Sequence, residues 1–307
     1  MKKILFSSIL AFSASLSMAQ VAISHDVSTH QNKRPYQEDR FTYASIDFSK
    51  GYNPFYASRT HYQGKFFAVY DGHGGDKVSS YLHSNLHKQL HGRASLETAF
   101  RLAFAAVEKY VLENYDDGST AVVAFINKNN QLCIAWTGDS RAVLENNGAV
   151  GFATQDHKPE RADERERIKN AGGDIYFHGV WRVNGLAVSR SIGDRKMKNM
   201  GQGQIIAVPE CEEIRLNENN HFMILASDGL WDVVSSEEAV RMVKEYFKKD
   251  APLKGAARVL QNEAIKRGSG DNITVCVVKF DWSDDKNPPK QRLPLMRRLW
   301  NWVWGKG

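Results

Sequence analysis

Phe66-Phe67-Ala68-Val69-Tyr70 runs without a polar break into Asp71-Gly72-His73-Gly74-Gly75, and the same grammar returns twice more in the chain. Phe222-Met223-Ile224-Leu225-Ala226 runs into Ser227-Asp228-Gly229-Leu230-Trp231-Asp232, and Ile134-Ala135-Trp136 into Thr137-Gly138-Asp139-Ser140-Arg141. In reverse order, Asp271-Asn272 opens the apolar run Ile273–Phe280, and Glu38-Asp39 precede Phe41-Thr42-Tyr43. Each apolar run reads as a buried strand with a carboxylate at its end. One Asp-Gly pair is ordinary turn chemistry. A set of them at strand ends is different, because gathered carboxylates repel one another and burial penalises their charge. A divalent cation removes that penalty, and oxygen ligands without His or Cys point to Mg²⁺ or Mn²⁺ rather than Zn²⁺.

Around these strands the periodicity supplies helices. Leu96, Ala99, Phe100, Ala103, Val107, Tyr110 and Val111 recur at three and four, predicting a helix over 95–115. Ser235-Ser236-Glu237-Glu238 reads as a helix start, and 252–267 gives another helix, ended by Gly268. The charged run 159–170, closed by Gly172-Gly173, predicts a more exposed one. Strands at 121–126, 133–137 and 141–144 have links too short for helical crossovers, so antiparallel hairpins are expected. Hairpins with separate long helices make an α+β fold in which sheets pack together under helical cover.

Arg34 stands four residues before Glu38, and His73 two after Asp71. A guanidinium beside such a centre suits bidentate capture of a phosphate, and an imidazole suits protonation of a leaving alkoxide. Two cations activate water at neutral pH and clamp an in-line displacement, so phosphomonoester hydrolysis is the chemistry expected first.

These stretches, in this order, resemble the metal-dependent protein phosphatases (PPM, protein phosphatase type 2C). The likeness extends over about 30–280 and includes Arg34-Pro35-Tyr36-Gln37-Glu38-Asp39, Gly118-Ser119-Thr120-Ala121, Asp156-His157-Lys158-Pro159, the segment 182–190 and Gly270-Asp271-Asn272-Ile273-Thr274. The resemblance implies a four-layer α/β/β/α sandwich of two antiparallel sheets flanked by helices, with two Mn²⁺ or Mg²⁺ ions in the cleft. By position, Asp71 would bridge both ions, Asp228 and Asp271 would serve one, and Glu38 with the Gly72 carbonyl the other. Asp39 would orient water, Arg34 would bind the substrate phosphate, and His73 would be the general acid. Asp139 and Asp232, with Asp228 shared, match a third, weaker metal site. The segment 156–190 corresponds to the flap beside the cleft, where Arg182 is a candidate substrate contact. Two departures stand out: Asn32 occupies a position where the family has Gly, and one flap residue is missing between Gly185 and Leu186.

The expected function is therefore an exported serine/threonine phosphoprotein phosphatase acting as a monomer. A secreted pseudophosphatase that binds phosphoproteins without turnover, and a small-molecule phosphatase, are the alternatives. Every ligand position carries a competent residue, against the pseudophosphatase.

Composition bounds these readings. Across 307 residues, 42% are hydrophobic and 25% charged, values that exclude wholesale disorder and collagen. The net charge of +6 comes from the ends: Lys2 and Lys3 give +2, and 283–307 carries six basic against two acidic residues. The remainder is neutral, so a nucleic-acid-binding body is excluded. Residues 1–19 read as a secretory signal: Lys2-Lys3, an apolar and small-residue stretch from Ile4 to Ser17, and a cleavage site after Ala19. That predicts export, to the periplasm or beyond, of a domain spanning 20–282, which is expected to be soluble. The tail, 283–307, mixes Leu295, Trp300, Trp302 and Trp304 with Arg297 and Arg298. That composition suits peripheral membrane contact, or a helix docked on its own domain.

Cys133, Cys211 and Cys276 read as small buried core residues, with one disulfide and a leftover thiol as the alternative. His83, His87 and His91 share the spacing of a chelating helix face, but no further ligand completes it, so a solvated face is expected.

Overall fold

The computed structural model describes residues 21–47, 63–90 and 95–282; the expected signal segment, the tail and His91 lie outside them. Ten strands form two five-stranded sheets, with antiparallel pairing throughout. Sheet I runs in the order Val21–His30, Ile273–Trp282, Phe222–Ala226, Arg141–Asn146, Ala149–Ala153. Sheet II runs Glu210–Arg215, Gln131–Thr137, Ala121–Asn127, Gln63–Tyr70, Arg40–Asp47.

Side chains alternate across a strand, so each apolar run serves two cores at once. Phe67, Val69, Val122 and Ile134 of sheet II meet Met223, Leu225, Leu144 and Val278 of sheet I in the space between the sheets. Phe66, Ala68 and Phe125 face the other way, onto the helices Lys77–Asn85 and Leu96–Asn114 through Leu82, Phe100, Phe104 and Val107. Val143, Ile224, Val275 and Val277 do the same for sheet I, against Val240, Val243 and Leu260 of the helices Ser236–Lys248 and Ala256–Lys266. The result is the α/β/β/α sandwich. Two-sided burial explains why Phe66–Tyr70 shows no polar alternation.

The helix starts follow their caps. Ser95 accepts from the Thr98 N–H, and Ser235 with Glu238 forms a reciprocal capping box. The helix expected from 252 begins only at Ala256, because Asp26 Oδ2 accepts from the N–H groups of Gly255 and Ala257 at 2.9 and 3.0 Å and sets the start.

One expected hairpin is absent. Gln131–Thr137 lies in sheet II and Arg141–Asn146 in sheet I, so residues 138–140 carry the chain across the sandwich. Three linking residues reach about 13 Å between their flanking Cα atoms, enough to join sheets stacked about 10 Å apart. Gly138 makes the corner at φ +100°, where a Cβ would lie 2.6 Å from the Thr120 side chain. The crossover delivers Asp139 to the cleft.

All three thiols are free; Cys133 and Cys276 are buried as expected, whereas Cys211, on the edge strand Glu210–Arg215, is only partly buried. Cys133 stands opposite Glu213 and Cys211 opposite Ala135, so the two are staggered on neighbouring strands. Burial pushes the Cys211 thiol up to about 12. His83 is an anchor, not a ligand: its Nδ1 lies 2.5 Å from the Phe41 carbonyl and 3.2 Å from Thr42 Oγ1.

The helix Ala162–Asn170 hides a buried carboxylate, Glu164, only 1% exposed. It accepts from Arg190 at 2.6 Å, Arg167 at 2.8 Å and Ser189 at 2.6 Å. Burial alone would raise its pKa, but these bonds hold it far below the ordinary carboxylate value. Glu210, against burial, is held at about 2 by His157 and Arg161. Folded-state values below the unfolded ones mean stability that is present above about 4.5 and lost as pH falls towards 2. The denaturation midpoint should drop across that window. Glu164→Gln should flatten the drop and cost about 3 kcal/mol at neutral pH, since two arginines lose their partner. Chemical denaturation at several pH values measures both.

Candidate metal centre

The acidic strand ends converge at one end of the cleft. Asp71 follows the strand Gln63–Tyr70, Asp228 follows Phe222–Ala226, and Asp139 sits in the crossover between the sheets. Carboxylate oxygens of these three lie within 4.8 Å of one another. With Glu38, Gly72, Asp271, Arg34 and His73 they line a cavity of about 270 Å³, to which Arg182 and Gly185–Val188 of the flap also contribute.

Such crowding is expensive without a counter-charge. Burial first, then the charges of Asp228, Asp39, Asp139 and Asp271, push the Asp71 carboxyl well above its ordinary value. Burial, Asp139 and Asp232 do the same to Asp228. Asp228 Oδ1 and Asp39 Oδ1 are buried with no hydrogen-bond partner among the described residues. Orphaned buried oxygens in an all-oxygen cluster are what a hard divalent cation satisfies. Gly72 fits the same purpose. A Cβ there would lie 2.6 Å from the Glu38 carbonyl and 2.8 Å from Ser79 Oγ, so only glycine brings this backbone beside Glu38. The residues present therefore fit the cation pair.

The supporting contacts hold each ligand in place. Ser227 Oγ donates to Asp39 Oδ2 at 2.8 Å and accepts from the Thr274 N–H at 3.0 Å, tying Asp39 to two strands of sheet I. Burial pushes the Asp39 carboxyl up to about 6. Asn272 Oδ1 accepts from the Glu38 N–H at 2.8 Å, while its Nδ2 donates to the Gln31 and Tyr36 carbonyls. That one amide fastens the loop carrying Arg34 and Glu38 beside Asp271. Arg34 Nη2 rests 2.5 Å from Asp271 Oδ2, with about half its side chain (52%) exposed towards an incoming anion.

Two partners escaped sequence reasoning. Lys158 Nζ lies 2.5 Å from Asp139 Oδ2. Burial opposes the Lys158 charge, but Asp139 outweighs it and holds the ammonium above the ordinary lysine value. Asp194, 121 residues from His73, lies 2.8 Å from its Nε2. Asp194 is 2% exposed, takes a second bond from Ser191 Oγ at 2.6 Å, and adopts φ +56°. A Cβ on Gly118 would come 2.1 Å from its carboxylate, so glycine clears the space. Burial alone would lower the His73 pKa; Asp194 more than compensates and raises it. No local pattern announced Asp194, since only the fold brings it to His73.

Asp232 is exposed and is not among the residues lining the cavity, although burial and Asp139 raise its pKa and Lys158 opposes them. Arg182 does line it, with Nη1 donating to the Gly185 carbonyl at 2.8 Å. Both departures from the family pattern are accommodated locally. Asn32 takes φ +56° and donates from Nδ2 to the Ser269 carbonyl at 2.6 Å. The shortened flap closes on Asn184-Gly185, both at positive φ, between reciprocal bonds from Val183 to Leu186. Asn-Gly is the pair that such a tight turn selects.

The family described as Protein phosphatase 2C matches residues 37–273. Probable protein phosphatase 2C 69 of Arabidopsis thaliana is 43% identical over 224 residues, 70% of this chain and 61% of that protein. Probable protein phosphatase 2C 52 of Oryza sativa subsp. japonica is 42% identical over 224 residues, again 70% of this chain but 44% of that protein. The chain thus spans about half the length of these curated relatives. Among solved structures, a C. elegans sex determining protein shares 27% identity at a TM-score of 0.68, covering 84% of this chain and 64% of that one. A serine-threonine phosphatase 2C from Toxoplasma gondii shares the fold at a TM-score of 0.68 and 24% identity, covering 86% and 96%. Matched over most of its described length and more than 40% identical to these relatives, the chain belongs to the protein phosphatase 2C family.

Proposed function

We propose that the chain is a metal-dependent phosphatase that hydrolyses phosphoserine and phosphothreonine in proteins. The observation that carries this reading is the gathering of Asp71, Asp139 and Asp228 within 4.8 Å beside Arg34 and His73 in one cavity. Asp71, Asp228, Asp271, Glu38 and the Gly72 carbonyl would hold two Mn²⁺ or Mg²⁺ ions, with Asp139 and Asp232 available to a weaker third. When bound, the cations supply an activated water and offset charge developing on the phosphoryl oxygens. The chain's own groups do the rest. Arg34 leaves its contact with Asp271 to grip the phosphate in bidentate fashion. Asp39, fixed by Ser227, accepts a hydrogen bond from the attacking water and orients it. His73, charged in the company of Asp194, delivers a proton to the departing serine or threonine oxygen. Arg182 and the flap shape the outer wall against which the substrate chain lies.

The sequence of 1–19 supports export of a mature protein beginning at Gln20, with the phosphatase domain over 20–282 and a separate basic tail. An exported enzyme of this kind would meet phosphoproteins of another cell.

The test is turnover of a phosphothreonine peptide with Mn²⁺, with chelator, and after readdition of Mn²⁺. Hydrolysis that stops with chelator and returns with metal is expected. A folded protein that binds the peptide yet releases no phosphate would instead make it a phosphoprotein-binding module. Preference for small phosphate esters over the peptide would make it a metabolite phosphatase. Export is checked separately: the protein should leave the cytoplasm shortened at Gln20, and retention at full length would remove that part.

A further inference from the structure

At the end of sheet I opposite the metal centre lies a larger groove, of about 600 Å³. The strand Ile273–Trp282 connects the two, opening beside Asp271 and ending on the groove wall. Ten residues at 3.3 Å each place the sites about 30 Å apart. The groove is floored by Phe222, Phe247, Phe280 and Trp282 and edged by Lys244, Lys248 and Lys279.

The floor is rigid. Trp282 Nε1 donates to the Asn220 carbonyl at 2.7 Å, and the Phe222 and Phe247 rings meet edge to face at 5.9 Å. The rim lysines differ in what holds them, and Lys279 also lies over the Phe247 ring at 5.8 Å. Lys244 has no ion pair with any described residue, its ammonium lying over the Gly148 turn. Lys279 pairs with Asp281 and Lys248 with Glu245, both at 2.6 Å, and both pairs are exposed. Exposed pairs contribute little and are readily exchanged for a stronger anion. The buried carboxylate of the wall, Glu145, is occupied: it accepts from the His221 N–H at 2.7 Å and from the Gly148 N–H.

With Phe222 and Phe280 buried and Phe247 and Trp282 half-buried, the rings form the base of a concavity whose three lysines suit the phosphates of anionic headgroups. The described chain ends at Trp282, on the groove wall, and the sequence that follows, Ser283–Gly307, carries a net charge of +4 and three tryptophans, a second membrane signal. We propose that this end of the molecule docks on an anionic phospholipid surface, with Lys244, Lys248 and Lys279 taking the headgroup phosphates. So seated, the protein turns its catalytic cavity away from the membrane, towards soluble substrates. The inference does not depend on the phosphatase reading.

The experiment is sedimentation of the full chain with vesicles of phosphatidylcholine alone, or with about one part in five of phosphatidylglycerol. The ratio of the two partition coefficients cancels any apolar contribution shared by both vesicles. A clear preference for the anionic vesicles is expected, fading at high salt. Each lysine near an anionic surface is worth about fivefold, so Lys244→Gln, Lys248→Gln and Lys279→Gln together should lower the ratio about a hundredfold. An unchanged thermal melt confirms that the triple variant is folded. Should it fail to fold, the single exchange Lys244→Glu should still lower the ratio at least fivefold. An unaltered ratio in folded variants, or no anionic preference in the unaltered chain, overturns the proposal. So does equal competition by free glycerol phosphate or by an acidic peptide, which would make the groove a site for small anions or for protein.

Discussion

Asp228→Asn should cut turnover of a phosphothreonine peptide about a thousandfold, beyond the 10- to 100-fold that loss of a supporting contact costs. The same change should raise the melting temperature of the protein in chelator. These opposite signs follow from one fact. Asp228 is half-buried within 4.8 Å of Asp71 and Asp139, with its Oδ1 buried and unpartnered among the described residues. Its charge destabilises the empty fold, and that same charge draws in the cation. Asparagine keeps the shape and removes the charge. Cation binding stabilises the native state by about 2.7 kcal/mol at a hundred times its dissociation constant. The melting gain on adding Mn²⁺ should therefore shrink sharply in the variant. Calorimetry with and without Mn²⁺ reads this without reference to catalysis. A variant that melts lower in chelator would show Asp228 to be a structural acceptor and remove it from the centre.

How far the sequence foretold this centre depends on where each residue gets its position. Asp71 and Asp228 were legible because a strand buried on both faces leaves an unbroken apolar run, and the carboxylate stands one residue past it at Asp71 and two at Asp228. Asp139 was legible as an acid, but the route that brings it to the cleft was not. A three-residue link serves a hairpin or a crossing equally well, and only the apolar outer face of each strand, seeking helical cover, decides between them. Val21–His30 was missed as a strand, although it pairs along all ten residues of Ile273–Trp282. Its interior side chains, Val21, Ile23 and Val27, are separated by Ser24, His25 and Asp26, a weak signal for an edge strand. Lys158 and Asp194 belong to a third kind. Their roles lie wholly in contacts made across the fold, Lys158 to Asp139 and Asp194 to His73. Nothing in their neighbours along the chain encodes that. Asn184-Gly185 shows the reverse case, where local chemistry sufficed. A missing flap residue is absorbed because two residues that tolerate positive φ stand at the point of deletion.

His73→Gln should lower kcat for the phosphothreonine peptide about a hundredfold, the lower end of what a positioned general acid contributes. Turnover of p-nitrophenyl phosphate should barely change. The difference lies in the leaving groups. A threonine alkoxide is strongly basic and departs only as it receives a proton, whereas a nitrophenolate leaves unaided. His73 holds 31% of its side chain open while Asp194, 2% exposed, takes its Nε2 at 2.8 Å. The arrangement keeps the ring oriented and favours its protonated form. Asp194 touches no substrate in this scheme; it positions His73. Asp194→Asn should accordingly reproduce the same selectivity at smaller depth, about tenfold on the peptide, with the aryl ester again spared. The ratio of the two substrates separates this role from damage to the fold, because a distorted cavity slows both. Were the peptide and the aryl ester to fall together in His73→Gln, the imidazole would be holding the Asp71–Gly75 turn in shape. The proton would then have to come from solvent.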